Sequence, residues 1–262
     1  MNANDRNFAL DAAGVGLVSV AICTAARHLA FMSALVAAVV VVRFALFTGP
    51  RLRELAFFAL CTVLGAFNDW SSVTRHHIYA YTVPVYFPSV SLLPLWMLLY
   101  WGLILRFIAT LFRWQRLRLG APPDTLHLGR RSVTSAGGRV SVLVAIAIAT
   151  RQTIYRSFLD PLWSWLPFAL ALGLALFLVR PDRRRLAVLG VFVVLGPLVE
   201  VAYIKLGGLH HYALGWFGGV PLWIVLWWGL SALIWEDLSA RVLSLLEPHT
   251  TLEPAPSAHQ VP

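Results

Sequence analysis

Eight apolar stretches, separated by short polar gaps, dominate the hydrophobic pattern of the chain. They cover residues 9–26, 29–47, 54–73, 90–112, 134–152, 160–179, 186–204 and 219–240. Each is close to the roughly 20 residues that a helix needs to cross the hydrocarbon core of a bilayer. The pattern therefore predicts an all-α, polytopic membrane protein with about eight transmembrane helices.

Composition supports a lipid environment. The chain is 59% hydrophobic and 13% charged, with a mean hydropathy of +0.73, whereas soluble domains carry about 25% charged residues. The net charge is +9, but the basic residues lie in the gaps between apolar stretches, as is typical of membrane proteins. We therefore expect membrane lipids as partners and no nucleic acid.

The arginines alternate from gap to gap. The gap after the second stretch holds Arg51 and Arg53, the gap after the sixth holds several arginines between 180 and 185, and the gap after the fourth is the longest and most basic. Because loops enriched in arginine stay in the cytoplasm, we predict a multi-pass protein of the cell inner membrane with both termini cytoplasmic.

Two parts of the sequence repeat one another. Residues 94–103 read PLWMLLYWGL and residues 221–230 read PLWIVLWWGL, while residues 50–69 align without a gap on 181–200. This alignment places Asp69 opposite Glu200. Each copy holds four helices, an even number, which gives both copies the same orientation in the membrane.

The sequence therefore predicts two tandem four-helix repeats related by a parallel pseudo-twofold axis. The first repeat covers 1–115 and the second covers 134–245. A cytoplasmic linker rich in arginine and proline joins them at 116–133. A tail at 246–262, rich in proline and polar residues, is predicted to be disordered.

Ionisable residues recur near the outer ends of the third and seventh helices. A carboxylate in hydrocarbon costs about 2.5–3.5 kcal/mol, so it is usually paired, protonated or functional. In each copy a histidine pair and a tyrosine follow the acid. Interfacial hydrogen bonding, acid–base chemistry and metal binding are the alternatives for the histidines, but adjacent histidines on a strand point apart, and we predict no metal or cofactor. The candidate catalytic residues are Glu200, Asp69, His210, His211, His76, His77 and Tyr212.

Tryptophans enter the fourth and eighth helices, and two arginines end the first and fifth apolar stretches. The tryptophans either pack between helices or line an apolar ligand pocket, and the two arginines are interpreted as an equivalent pair. The candidate substrate-binding residues are Trp96, Trp101, Trp223, Trp228, Arg27 and Arg151. Near the end of the last helix, Glu236 and Asp237 are predicted to form salt bridges with arginines.

The run from Glu200 reads EVAYIKLG, then HHY, then GVPLWIVLWW. It resembles membrane carotenoid-biosynthesis proteins of the bisanhydrobacterioruberin hydratase type, which carry a helix-borne Glu, a following Gly, a Tyr-rich stretch and a G-V-P-L…W helix. The matching residues are Glu200, Gly207, Tyr212, Gly219, Val220, Pro221, Leu222 and Trp228. The first half also resembles a small uncharacterised bacterial inner-membrane family through Gly65, Asp69, Tyr81, Pro94, Leu95, Trp96 and Trp101. The resemblance implies a membrane module connected with lipid or carotenoid metabolism.

The leading hypothesis is a cofactor-independent enzyme that hydrates or cyclises an isoprenoid or another hydrophobic small molecule. Such a reaction places a proton on a carbon–carbon double bond, and an acid in apolar surroundings keeps its proton. Glu200 is the expected acid, with Asp69 second, and the rings of Trp223 and Trp228 are expected to stabilise a carbocation. The alternatives are a proton-coupled transporter, since repeats with paired acids suit alternating access, and a non-catalytic membrane assembly partner.

Overall fold

The computed structural model describes residues 2–135 and 137–247, and within these ranges the chain forms eight α-helices and four short strands. The helices are α1 (Ala3–Ala25), α2 (Leu29–Leu46), α3 (Arg51–Trp70), α4 (Leu95–Phe112), α5 (Gly138–Ser157), α6 (Leu166–Val179), α7 (Arg183–Lys205) and α8 (Leu222–Leu245). The strands are β1 (Tyr79–Tyr81), β2 (Thr125–Leu128), β3 (Arg131–Thr134) and β4 (His210–Tyr212). The all-α prediction is confirmed. The predicted disordered tail lies outside the described residues from position 248 onward.

Five of these helices are long and apolar enough to cross a membrane: α1, α2, α3 with its continuation to Arg75, α4 and α7. The chain is therefore a membrane protein. Helix α6 is apolar but has only 14 residues. Helix α5 carries Arg139, Arg151 and Arg156, and α8 carries Glu236 and Asp237. Neither of these two helices is among the five candidate spans.

Two helices organise the packing. Helix α4 contacts α1, α2 and α3, and α8 contacts α5, α6 and α7. The two groups meet through α4 with α8, α1 with α7, and α3 with α8. At the α3–α4 contact a side chain at Gly102 would meet the Phe58 ring at 2.8 Å. Glycine at this position lets the two helices approach closely.

A buried ion network joins the helices of the first half. Arg43 lies between Asp11, at 2.9 Å, and Glu54, at 3.2 Å. Arg106 on α4 donates to Glu54 at 2.7 Å, and the Thr110 hydroxyl donates to Asp11 at 2.6 Å. Every member is buried. The charges therefore compensate one another inside the protein, as buried ionisable groups require.

The second half has a corresponding network with the signs reversed. Arg139 on α5 contacts Asp237 at 2.7 Å, and Arg185 on α7 contacts Glu236 at 2.7 Å. The predicted salt bridges of the two acids are confirmed. In the first half the acids lie on α1 and α3 and the bases on α2 and α4, whereas in the second half the bases lie on α5 and α7 and the acids on α8, so the sign of the charge is reversed between α4 and α8.

The strands lie at opposite ends of the helices. Strands β1 and β4 pair antiparallel and connect the loop after α3 with the loop after α7. Strands β2 and β3 form a hairpin within the segment between α4 and α5, which also begins with a 3₁₀ turn at Gln115–Leu117. The sequence predicted this segment only as a linker. The hairpin packs on α6 and α5.

Candidate functional site

The paired strands β1 and β4 bring the loops of the two halves together beside the ends of α3 and α7. In this ladder Tyr79 is opposite Tyr212, Ala80 opposite His211, and Tyr81 opposite His210. Side chains alternate between the two faces of a strand. Tyr81, His210 and Tyr212 therefore share a face, and this face is directed at the two predicted acids.

Asp69 is fully buried near the end of α3. Its Oδ2 accepts a hydrogen bond from the Tyr81 hydroxyl at 2.7 Å and another from the Trp101 indole N–H at 2.9 Å. Its Oδ1 is buried without a hydrogen-bond partner. One carboxyl oxygen is therefore held by two donors, and the other is left for a proton or a ligand.

Glu200 has the same environment on α7. The Tyr212 hydroxyl donates to Oε2, and the Trp228 indole N–H donates to Oε1 at 2.9 Å. In both halves the tyrosine follows the acid by 12 positions. Glu200 differs from Asp69 in exposure, because 15% of its side chain remains accessible.

Each indole is positioned by a glycine on the helix that carries the acid. A side chain at Gly65 would lie 2.6 Å from the Cβ of Trp101, and one at Gly196 would lie 2.6 Å from Cε2 of Trp228. Only a residue without Cβ lets the ring pack this closely. The glycine four residues before each acid therefore allows the tryptophan to reach it.

His210 lies among the aromatic rings between the acids. Its ring centre is 5.6 Å from Tyr79, 6.0 Å from Tyr81 and 5.2 Å from Tyr212. Its Nε2 is 3.9 Å from Oε2 of Glu200, which is too long for a hydrogen bond, and neither ring nitrogen has a partner. Burial lowers the pKa of His210 to about 4. The ring is therefore neutral at neutral pH.

The two site tyrosines act as donors. Burial, followed by the neighbouring carboxyl groups, raises the pKa of Tyr81 and Tyr212 well above the usual range. Both hydroxyls therefore keep their protons and donate them in hydrogen bonds. Tyr81 was absent from the predicted catalytic residues. The equal spacing of acid and tyrosine in the two halves is the sequence signal that could have identified it.

The other predicted histidines lie away from the acids. His76 stacks on Tyr155 with ring centres 3.8 Å apart, and burial, with Arg75 and Arg151 nearby, lowers its pKa. His77 and His211 are exposed. No group of three His, Cys, Asp or Glu side chains within residues 2–135 and 137–247 has the arrangement needed to hold a metal ion.

The two predicted arginines occupy different environments, so their interpretation as an equivalent pair is wrong. Arg27 is exposed and follows the end of α1 at Ala25. Arg151 is buried within α5, well before that helix ends at Ser157. The reason is helix length, because α5 continues past its arginine and α1 ends before its own.

The predicted tryptophans divide into two pairs. Trp101 and Trp228 donate hydrogen bonds to the acids. Trp96 and Trp223 are buried in the core, at 1% and 2% exposure. The ring of Trp223 also faces a cation, since the guanidinium of Arg151 lies 5.9 Å from its centre.

Two cavities of the described residues lie away from the acids. One is an open cleft at the α1–α2 turn, lined by residues 25 and 27–31, which include Arg27. The other has a volume of about 10 Å³ and lies near Arg185 and Glu236 at the opposite end of the helices. Neither is lined by Asp69 or Glu200.

No protein-family model matches the chain, and searches of curated proteins and of solved structures also give no match. The residues of the site and their geometry are the basis for assigning a function.

Proposed function

We propose that the chain is a tandem duplication whose eight helices all span the membrane, with the two halves related by a pseudo-twofold axis. The offset is 131 positions for Asp69 and Glu200 (69 to 200), and also for Tyr81 and Tyr212 (81 to 212). The same offset relates Tyr79 to His210 and Tyr81 to Tyr212. It therefore converts the Tyr79–Tyr212 pair of the β1–β4 ladder into the His210–Tyr81 pair. Such reciprocal pairing is expected around a twofold axis. The similar helix contacts around α4 and α8 support the same interpretation.

We further propose that the protein is a membrane-embedded acid catalyst that hydrates or cyclises an isoprenoid or another lipid, with Glu200 as the acid. The observation that carries this proposal is the environment of the Glu200 carboxyl group. Tyr212 and Trp228 fix both of its oxygens, the surroundings are aromatic, and 15% of the side chain is accessible. The two residues before it on α7, Leu198 and Val199, are apolar and exposed. A lipid chain can therefore approach this carboxyl group from the bilayer.

The chemistry follows from this arrangement. A carboxyl group in low-polarity surroundings keeps its proton. The Glu200 proton is transferred to one carbon of a double bond, which leaves a carbocation on the other carbon. In hydration, water attacks the cation and a proton returns to the carboxylate. In cyclisation, a second double bond attacks, and a proton is then lost to the carboxylate. The rings of Tyr79, Tyr81 and Tyr212 present π-faces that favour a cation.

The test is Glu200→Gln, which keeps the shape of the side chain and removes its proton. The variant and the wild type are expressed in a host that makes isoprenoids, and lipid extracts are compared by mass spectrometry. We expect a product that is heavier by one water, or an isomer, in the wild type. The variant should form it at a rate lower by about 10²–10⁴-fold.

Glu247→Gln is the matched control, because this acid is 56% exposed and lies at the opposite end of the helices. It should leave the product unchanged. Both variants must elute from size exclusion like the wild type. A folded Glu200→Gln variant with wild-type product levels would contradict the proposal.

A proton-coupled transporter is the second candidate. It is favoured by the position of the acids, one in each half, with Tyr81, His210 and Tyr212 between them. Paired acids at the interface between repeats suit alternating access. Proton flux into liposomes that depends on Glu200, without any lipid product, would favour transport over catalysis.

A further inference from the structure

Five arginines are buried among the described residues: Arg43, Arg106, Arg139, Arg151 and Arg185. Four of them have a carboxylate oxygen within 3.0 Å. Arg151 is the exception, since no carboxylate of the described chain lies within the 4.0 Å of an ion pair. A buried cation without a counter-ion is costly, and ionisable residues inside membrane helices generally have functions.

The guanidinium of Arg151 is only partly satisfied by its neighbours. Its Nη2 donates to the Ser72 hydroxyl and is 3.4 Å from the Tyr155 hydroxyl, whereas its Nε is buried without an acceptor. The rings of Tyr155, Trp223 and Trp227 lie 5.2–5.9 Å from its central carbon. Aromatic faces stabilise the positive charge but do not replace the hydrogen-bond acceptors that the N–H groups of the guanidinium need.

The local backbone brings hydroxyl groups to this arginine. A π-helical turn at Ser71–Arg75 continues α3 beyond Asp69. In this turn Ser71 donates to the Tyr155 hydroxyl at 3.1 Å, and Ser72 accepts from Arg151. Single π-turns are frequent at functional sites. Arg151 and Asp69 are therefore linked through one short segment of α3.

Asp69 does not neutralise Arg151 directly. Its Oδ2 is held by Tyr81 and Trp101, and no oxygen of Asp69 forms an ion pair with Arg151. A planar guanidinium whose Nε donor has no acceptor matches an oxyanion. The walls of this site are aromatic, and they belong to helices of a membrane protein. The oxyanion that fits is therefore one attached to an apolar chain.

We propose that Arg151 binds the oxyanion headgroup of an amphiphilic substrate, a phosphate, diphosphate or carboxylate, whose chain extends toward Glu200. This assigns a substrate class to the site. That the other end of the substrate reacts at Glu200 rests on the proposed function. It excludes a neutral polyene as the preferred ligand. Ser72 and Tyr155 orient the guanidinium.

The experiment measures equilibrium binding of radiolabelled farnesyl diphosphate to the full chain in phosphatidylcholine nanodiscs. The competitors are farnesol, which has the chain without the oxyanion, inorganic diphosphate, which has the oxyanion without the chain, and oleate, which carries a carboxylate. We expect saturable binding with strong competition by unlabelled farnesyl diphosphate, weaker competition by oleate, and little by farnesol or inorganic diphosphate.

Arg151→Gln should weaken binding about 10- to 100-fold, the range for a hydrogen bond to a charged group. Arg151→Lys keeps the charge without the planar fork and should give an intermediate affinity. Arg156→Gln is the matched control, an exposed arginine on the same helix, and should bind normally. If Arg151→Gln does not fold, Arg151→Lys carries the test, because it keeps the buried charge and removes only the planar donors.

Competition by farnesol equal to that by farnesyl diphosphate would overturn the proposal, as would normal binding in folded Arg151 variants. If inorganic diphosphate competes as well as unlabelled farnesyl diphosphate, the site binds a free anion, and the proposal that the ligand has an apolar chain is refuted. Glu200→Gln should bind normally. Normal binding with lost turnover supports both proposals, whereas turnover of a neutral lipid without binding of any oxyanion contradicts this proposal alone.

Discussion

Two glycines of one helix should respond in opposite ways to alanine. At Gly196 a Cβ would lie 2.6 Å from Cε2 of Trp228, so the indole has to move away from Glu200. Overpacking costs about 1–3 kcal/mol, and the lost hydrogen bond to the protonated carboxyl group costs about 0.5–1.5 kcal/mol. At Gly190, in the same helix, a Cβ meets nothing within 4 Å. Alanine there should stabilise α7 by about 0.5–1 kcal/mol.

The assay is thermal unfolding in detergent, followed by intrinsic fluorescence, with product formation measured in parallel. Gly196→Ala should unfold several degrees below the wild type and lose product, because the acid loses the donor that fixes Oε1. Gly190→Ala should unfold at the same temperature or slightly higher and keep its product. Gly65→Ala should behave like Gly196→Ala, since Trp101 packs on Gly65 in the same way. If Gly196→Ala matches Gly190→Ala in both measurements, the packing explanation of the site is wrong.

Three further predictions concern pH, the ion networks and topology. The folded-state pKa of His210, about 4, lies below its ordinary value of 6.5, so the unfolded state binds more protons on this side chain between these values. His210 should therefore lower the free energy of unfolding by about 3 kcal/mol as pH drops from 6.5 to 4. The His210→Asn variant should lack this contribution, so its free energy of unfolding should fall less than that of the wild type across that range. Glu54→Arg should destabilise the first half by about 3–5 kcal/mol, because it leaves buried cations unpaired. Adding Arg106→Glu restores an opposite charge and should recover part of this loss in thermal unfolding. No recovery would show that Glu54 and Arg106 do not stabilise the fold through their ion pair. Reporter fusions should show cytoplasm at Ala121 and the outer side at Pro84, and a cytoplasmic signal at Pro84 would reverse the predicted orientation.

The sequence by itself determined the membrane character and the positions of the helices. An apolar stretch of about 20 residues satisfies all its backbone groups as a helix in lipid, so the helices could be located without tertiary information. It also predicted Asp69 and Glu200 as a matched pair, because the surrounding PLW and glycine patterns repeat. The salt bridges of Glu236 and Asp237 were predictable for a similar reason, since a buried acid among arginines needs a counter-charge.

Only the tertiary structure decided which side chains meet. The distance between Tyr81 and Asp69, or between Arg43 and Asp11, depends on how separate helices and loops pack, which local pattern does not encode. The same packing showed that Trp101 and Trp228 donate to the acids and that Arg27 and Arg151 are not equivalent. Arg151 looked like a helix-ending residue in sequence. The tertiary structure shows that it is buried without a carboxylate partner, unlike the other buried arginines. The sequence does not contain this information, because charge compensation depends on contacts in space.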